Sequence, residues 1–261
     1  MRDRELQRYS RHILLPAIDI AGQQRLLDAH VLVVGAGGLG APASIYLASA
    51  GVGRLTICDG DAVDLTNLQR QIVHREATIG TNKAESAART LHELNSDCRV
   101  RTVARRVGRD DLLALAGDVD VVVDASYNFA TRRAINEVCV RLRKPLVSGA
   151  AVRFSGQVAV FDLRRTDAPC YACFLPDPSS EAEEACAVLG VFAPLTGIIG
   201  CMQAGETIRL IAMPAALPAD AEVVLFDAFE MQSQRIPVPR NPDCPVCGAA
   251  RSPAASADAS G

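Results

Sequence analysis

Val31–Gly40, VLVVGAGGLG, constrains the fold of this chain more than any other stretch. Val31 to Val34 are four apolar residues rich in β-branching, the composition of a strand covered on both faces of a sheet. Gly35, Gly37 and Gly40 then fit G-x-G-x-x-G, with Gly38 inside the loop. Ala41-Pro42 opens a helix, where proline is tolerated in the first turn. Glycines let backbone N–H groups come close to a phosphate, and the helix N-terminus adds positive dipole. A second strand, Arg54–Cys58, ends in Asp59, nineteen residues after Gly40. A nucleotide-binding βαβ unit sets a carboxylate there, against the ribose hydroxyls. The loop alone also suits a tight strand-to-helix turn; strand, helix and Asp59 together point to nucleotide binding.

Strands and helices alternate from this point. Helical patterning over Pro42–Ala50 closes at Gly51 and Gly53, and a polar stretch, Asp61–Arg75, follows Asp59. The spacing predicts a helix over Thr81–Leu94 capped by Thr81 or Asn82, a strand at Arg99–Val103 and a short helix at Asp110–Ala116. A buried strand at Asp120–Asp124, a helix at Ala130–Leu142 and a strand at Pro145–Val147 complete the series. Such alternation means a parallel, doubly wound sheet. After Ser148 the pattern changes. Val152–Phe161 reads as bent or paired strands about Gly156, and Glu222–Phe229 with Met231–Val238 as another pair, antiparallel additions common in large α/β folds. Pro194–Ile211 is the last helix pattern.

The expected architecture is therefore α/β, a Rossmann-like, doubly wound, mostly parallel sheet with antiparallel C-terminal strands. Residues 1–250 form one domain that begins with a helical arm over residues 1–30. The Ala/Ser-rich residues 251–261 read as a disordered tail, and the acidic, turn-rich Leu175–Gly190 as a mobile loop. A net charge of only −3 sets up no field that points to nucleic acid or to a membrane surface. Val188–Met213, the most apolar long stretch, is interrupted by Gln203, Glu206 and Arg209, which disfavours a membrane span. The opening MRDRELQRYSRH is charged and lacks an apolar core, unlike a secretory signal. Nine cysteines, an odd number, then read as cytoplasmic thiols and metal ligands rather than disulfides.

Cys170-x-x-Cys173 and Cys244-x-x-Cys247 form two metal knuckles. Each pair sets two thiolates on one tight turn, and two such turns complete a tetrahedral Zn²⁺ site. Seventy residues separate the pairs, so the metal pins the C-terminus back on the domain. Sulfur fills every coordination position, which makes the site structural; a redox dithiol is the alternative. Asp61, Asn67, Arg70, Gln71 and Lys83 lie just beyond Asp59, on the side where strand ends carry ligand-binding loops. Arg and Lys there neutralise phosphate charge, and Asn and Gln fix it by hydrogen bonds; a solvated polar loop is the bland alternative. Asp124-Ala-Ser-Tyr127-Asn128, at the end of another buried strand, adds polar groups near the same crevice. Cys186 sits alone in the acidic loop, where Glu181, Glu183 and Glu184 raise rather than lower a thiol pKa. Cys58, Cys98, Cys139 and Cys201 lie in regular patterns and read as core residues.

RYSRHILL, GAGGLG, LASAGVGRLTICDGD, NLQRQIVH, KAESA from Lys83, SGAAVRFSGQ and the two CxxC pairs together resemble the ThiF/MoeB family, from about Arg8 to Gly248. These are bacterial relatives of ubiquitin-activating enzymes. The resemblance implies an adenylyltransferase: ATP and the C-terminal Gly-Gly carboxylate of a ubiquitin-like sulfur-carrier protein give acyl-adenylate and pyrophosphate. The activated carboxyl later accepts sulfur, for molybdopterin or thiamine biosynthesis. The glycine loop is implied at the ATP phosphates, Asp59 on the ribose, and Arg70 and Lys83 on the phosphates. Arg11 of the second subunit of a homodimer joins them, and Cys186 matches a loop cysteine that links to the carrier during sulfur transfer. The persulfide comes from a separate donor protein. The family's D-C-T-D-N stretch reads Asp124-Ala125-Ser126-Tyr127-Asn128, so the aspartate that serves Mg²⁺·ATP is Tyr127 here. A phenol is a poor ligand for Mg²⁺, which demands hard anionic oxygens. The alternative function is thus a carrier-binding scaffold with weakened catalysis.

Overall fold

A computed structural model of the chain describes residues 1–176, 189–214 and 221–248. Cys186, most of the acidic loop and the tail over residues 251–261 lie outside the described residues. Short helices α1 (Asp3–Arg8) and α2 (Ser10–Ile13) and helix α3 (Asp19–Asp28) lead into β1 (His30–Val34). Helix α4 (Gly40–Ser49) and β2 (Arg54–Cys58) follow, then α5 (Lys83–Leu94), β3 (Arg99–Val103) and α6 (Arg109–Ala116). The series continues through β4 (Val121–Asp124), α7 (Phe129–Leu142), β5 (Leu146–Val152) and β6 (Ser155–Phe161). Short α8 (Tyr171–Phe174), α9 (Ala193–Ala212), β7 (Glu222–Asp227) and β8 (Gln232–Pro237) complete it.

The eight strands form one sheet in the order β3-β2-β1-β4-β5-β6-β7-β8. Every pairing from β3 to β5 is parallel, and β6, β7 and β8 add on antiparallel, as the change of pattern after Ser148 predicts. Strand β1 is buried along its whole length because both faces are covered. Val31 and Val33 join the core under α4, α5 and α9, and Leu32 and Val34 join the core shared with α6 and α7. Alternate side chains of a strand point to opposite faces, so each valine or leucine fully buried there contributes roughly 1.5–3 kcal/mol. The strand order reverses between β1 and β4, and such a switch point opens a crevice at the carboxyl ends of the strands.

β5 runs five residues beyond the predicted end at Val147, because β6 pairs with it all the way from Leu146–Phe161 to Val152–Ser155. Gly149 lies inside it, where a Cβ would stand 2.5 Å from the buried Gln203 of α9. Gln203 Nε2 donates to the carbonyls of Asp124 (2.7 Å) and Val147 (3.3 Å), tying the ends of β4 and β5 to that helix. The N-terminal arm is packed down: Asn95 Nδ2 donates to the buried Tyr9 hydroxyl at 3.0 Å, and Arg25 donates to the Ile211 and Ala212 carbonyls. Cys58, Cys98 and Cys139 are buried as expected, but Cys201 is half-exposed because it falls on the outer flank of α9. No helix among the described residues is long and apolar enough to cross a membrane.

Candidate functional site

A cleft of about 1420 Å³ opens where β1, β2 and β4 end. Gly35, Gly37, Gly38, Asp59, Asp61, Asn67, Arg70, Gln71, Lys83 and Asn128 all line it. Three of the glycines are there for different reasons. Gly35 has φ +103°, and a Cβ on it would meet the Ala125 carbonyl at 2.6 Å. Gly40 lies beneath the loop, where a Cβ would fall 1.9 Å from the Gly35 carbonyl, so it lets α4 start against the turn. Gly37 faces open space with only Gln71 Nε2 near, at 3.7 Å from a Cβ. Among the described residues, the N–H groups of Gly37, Gly38 and Leu39 have no hydrogen-bond partner. Such a row of free donors ahead of a helix fits phosphate oxygens.

Asp59 is fixed by the backbone: Oδ2 accepts the Ala36 N–H and Oδ1 the Asp61 N–H, each at 2.8 Å. Each oxygen keeps a lone pair for a ligand hydroxyl. Asn82 caps α5 by accepting the Ala84 N–H at 2.8 Å, while its Nδ2 donates to the Asp59 carbonyl at 2.9 Å. This cap brings Lys83, the first residue of α5 and only 7% exposed, against the end of β2. Lys83 Nζ pairs with Asp61 Oδ2 at 3.3 Å, and Arg106 Nη2 with Asp61 Oδ1 at 3.5 Å. Arg70 is half-buried and donates to the Thr66 carbonyl at 3.2 Å. Gln71 is buried with Oε1 unpartnered, an orphaned acceptor on the cleft wall. Asn67 and Arg70 stand on the same wall.

Besides Gly40, two of the candidate nucleotide-side residues lie off the cleft wall. Arg11 is exposed on α2 and does not line this chain's own cleft. Cys186 falls outside the described residues. Asp124 is buried behind the cleft rather than on its wall: Oδ1 accepts the Ser126 N–H (3.0 Å) and hydroxyl (2.6 Å), and Oδ2 accepts the Ser148 hydroxyl (3.0 Å). Its charge stands 3.9 Å from Nε of Arg132, whose Nη2 donates to the Ser126 and Gly149 carbonyls at 2.7 Å each. Asp124 therefore props the 125–128 turn. Tyr127 lines the cleft and is 71% exposed, so residues 124–128 offer Mg²⁺ no free carboxylate. Asn128 caps α7 through the Thr131 N–H at 2.8 Å and keeps its amide donor free to the cleft.

Sequence reasoning missed Arg106 and Arg132. Arg106 stands three residues past the end of β3, at the carboxyl edge where strand ends carry ligand-binding loops; Arg132 carries no such positional signal, because its partners are tertiary. The cleft also continues past the glycine loop along the antiparallel strands, beside Ala151, Gln157, Phe226, Gln232 and Gln234.

The four knuckle cysteines converge at the far side of α7. Their sulfurs all lie within 4.8 Å of one another, with Cys170–Cys244 at 3.7 Å and Cys173–Cys247 at 3.5 Å. A tetrahedron with metal–sulfur bonds of about 2.3 Å has S···S edges of about 3.8 Å, so the set fits a tetrahedral ion. Disulfides at about 2.05 Å are excluded. Each knuckle turn is closed by a backbone bond, Cys173 N–H to Cys170 C=O and Gly248 N–H to Cys244 C=O, both 2.9 Å.

Known proteins share this arrangement. The chain is 45% identical to the SAMP-activating enzyme E1 of Haloferax volcanii over 245 residues, covering 94% of this chain and 89% of that protein. It is 44% identical to the molybdopterin-synthase adenylyltransferase of Escherichia coli K12 over 248 residues, covering 95% and 98%. A crystal structure of E. coli MccB with ATP superposes with a TM-score of 0.76 at 25% identity, covering 88% of this chain and 70% of that one. The model of the ThiF family matches residues 9–246, and the chain belongs to the ThiF family.

Proposed function

We propose that this chain is an ATP-dependent adenylyltransferase that activates the C-terminal Gly-Gly carboxylate of a ubiquitin-like sulfur-carrier protein. One observation carries the reading: free backbone donors, a fixed carboxylate and the cations Arg70, Lys83 and Arg106 meet in one cleft that runs on along the antiparallel strands. In the step itself, a carrier carboxylate oxygen forms a bond to the α-phosphorus of ATP. The bond to the β-phosphate oxygen breaks and pyrophosphate leaves. The N–H groups of Gly37 and Gly38 hold phosphate oxygens, and Asp59 orients the ribose. Arg70 and Lys83, with Asn67 and Gln71 beside them, neutralise and position the departing charge, the kind of preorganised stabilisation such a transfer needs. Asp61 holds Lys83 in place, and Asn128 adds a donor at the mouth of the 125–128 turn.

Residues 1–250 act as one adenylating unit in the cytoplasm, as a homodimer in which Arg11 of the partner subunit reaches the phosphates. Sulfur comes from a separate persulfide donor, and Cys186 is the candidate for a covalent link to the carrier. The four cysteines hold a structural Zn²⁺, which supplies a cross-link between the two knuckles and no open position for substrate. Mg²⁺ would accompany the nucleotide, with no carboxylate offered to it by position 127. A scaffold without chemistry is not favoured, since position 127 is the one departure among the phosphate-side groups.

The test is ATP–pyrophosphate exchange with candidate carriers ending in Gly-Gly. Exchange that depends on the carrier and disappears when its last glycine is deleted is expected. Absence of exchange with every such carrier, in a protein that binds ATP, would remove the adenylation reading.

A further inference from the structure

His74 closes the NLQRQIVH stretch, and nothing in the reaction described above uses it. The ring is buried, 4% exposed, with Nε2 at 2.9 Å from the Ala36 carbonyl and Nδ1 at 2.9 Å from the Ser86 hydroxyl. Ser86 Oγ also donates to Oγ1 of the half-buried Thr78 at 2.9 Å, and Thr78 Oγ1 to the Arg75 carbonyl at 2.8 Å. A carbonyl only accepts, so Nε2 carries the proton. Burial holds the imidazole below its ordinary pKa. The Nε2–H bond to the Ala36 carbonyl is thus the contact whose direction is fixed.

Each contact reaches a different phosphate-side segment. Ala36 lies in the glycine loop, between Gly35 and Gly37, and its N–H is already held by Asp59 at 2.8 Å. Ser86 lies one turn along α5 from Lys83, on the same helix face. His74 itself ends the segment that carries Asn67, Arg70 and Gln71. In a trans peptide the C=O and the following N–H point in opposite directions. With the Ala36 carbonyl turned into the protein by His74, the Gly37 N–H is turned outward, where Gly37 faces the cleft.

We infer that His74 is a positioning residue that aims the Gly37 N–H at a nucleotide phosphate and sets the glycine loop in register with Lys83. This rests on the nucleotide role proposed above. Asparagine at position 74 keeps a polar atom near the Nδ1 place but cannot reach Ala36; glutamine can put an amide N–H near the Nε2 place. A side chain needed only to fill space would make the two variants alike.

The experiment is calorimetric titration of the full chain with α,β-methylene-ATP, with thermal stability and zinc content followed for each variant. His74→Asn is expected to weaken binding about tenfold, the scale of one buried acceptor left unpaired, and His74→Gln to stay within about threefold of wild type. In carrier-dependent exchange His74→Asn raises KM for ATP and leaves KM for the carrier unchanged. A second measurement needs no variant: the Gly37 amide in the wild-type protein exchanges freely with solvent and is slowed by the analogue. Wild-type affinity in His74→Asn, equal weakening in His74→Gln, or a Gly37 amide protected before nucleotide is added would each overturn the inference. A wild-type protein that binds the analogue but shows no exchange defeats the adenylation reading alone, and one that does not bind it defeats both.

Discussion

Strands β1 and β8 sit in the same sheet under opposite conditions. β1, His30–Val34, is buried at every residue, whereas β8, Gln232–Pro237, is exposed at every residue. Around β1 the parallel half is held by two apolar cores, one on each face. Among the described residues β8 pairs only with β7, and the chain that follows it sets the Cys244–Cys247 knuckle against the Cys170–Cys173 turn. The lesson is a division of labour along one sheet. Burial makes the nucleotide end rigid enough to hold donors at fixed angles, while the antiparallel end is held by backbone ladders and by the cysteine cluster beside them.

The largest effect should come from breaking the second kind of fastening. Removing the metal, or Cys244→Ser, is expected to cost more than about 4 kcal/mol, the scale reserved for lost metals and buried networks. Hydrogen exchange should place the loss in β7, β8 and the knuckles, with β1 and β4 amides still protected. Uniform loss of protection across the sheet would show that the two halves are one cooperative unit. The next effect belongs to the other half. Lys83→Ala should slow pyrophosphate exchange about 10²–10³-fold, roughly 3–4 kcal/mol, because a preorganised charge is gone. The zinc content should not change, which separates it from the first variant.

Legibility in the sequence follows the same division. β2 and β3 match the expected strands residue for residue: β2 is a buried parallel strand with an apolar run, and β3, the partly exposed edge strand, alternates arginine with β-branched residues. α5 begins one residue after Asn82, since an asparagine cap satisfies helix donors locally. The full length of β5 is not legible because the apolar run breaks at Ser148-Gly149. Its strand conformation depends on β6 alongside and Gln203 above, both distant in sequence. Asp124 shows the limit for the site. A carboxylate at a strand end reads as a ligand, yet Ser126, Ser148 and Arg132 take up its oxygens and charge from within the protein.

A smaller effect sharpens the account at its one irregular position. Tyr127 is exposed on the cleft wall, so Tyr127→Asp can be accommodated without repacking. It should raise the exchange rate about tenfold or more while changing ATP affinity less, since the glycine loop and Asp59 remain. An unchanged or lower rate, measured at saturating ATP, would mean that position 127 has no part in placing charge.

The smallest effect is on pH. Burial first, with Lys83 and Arg75 nearby, holds His74 below its ordinary value near 6.5, against the pull of the Ala36 carbonyl and Asp59. On acidification the unfolded chain takes up this proton before the folded one does. The contribution is therefore complete above about pH 6.5 and declines as pH falls below it. Denaturant titrations between pH 7 and pH 5 should show a decline that His74→Gln removes.

The most direct measurement is the intact mass of a Gly-Gly-ending carrier after incubation with this protein, ATP and inorganic pyrophosphatase. The account predicts a carrier heavier by one adenylyl group at its C-terminal carboxylate, and no gain with the terminal glycine deleted or with Lys83→Ala. ATP bound in the cleft but a carrier of unchanged mass would contradict it.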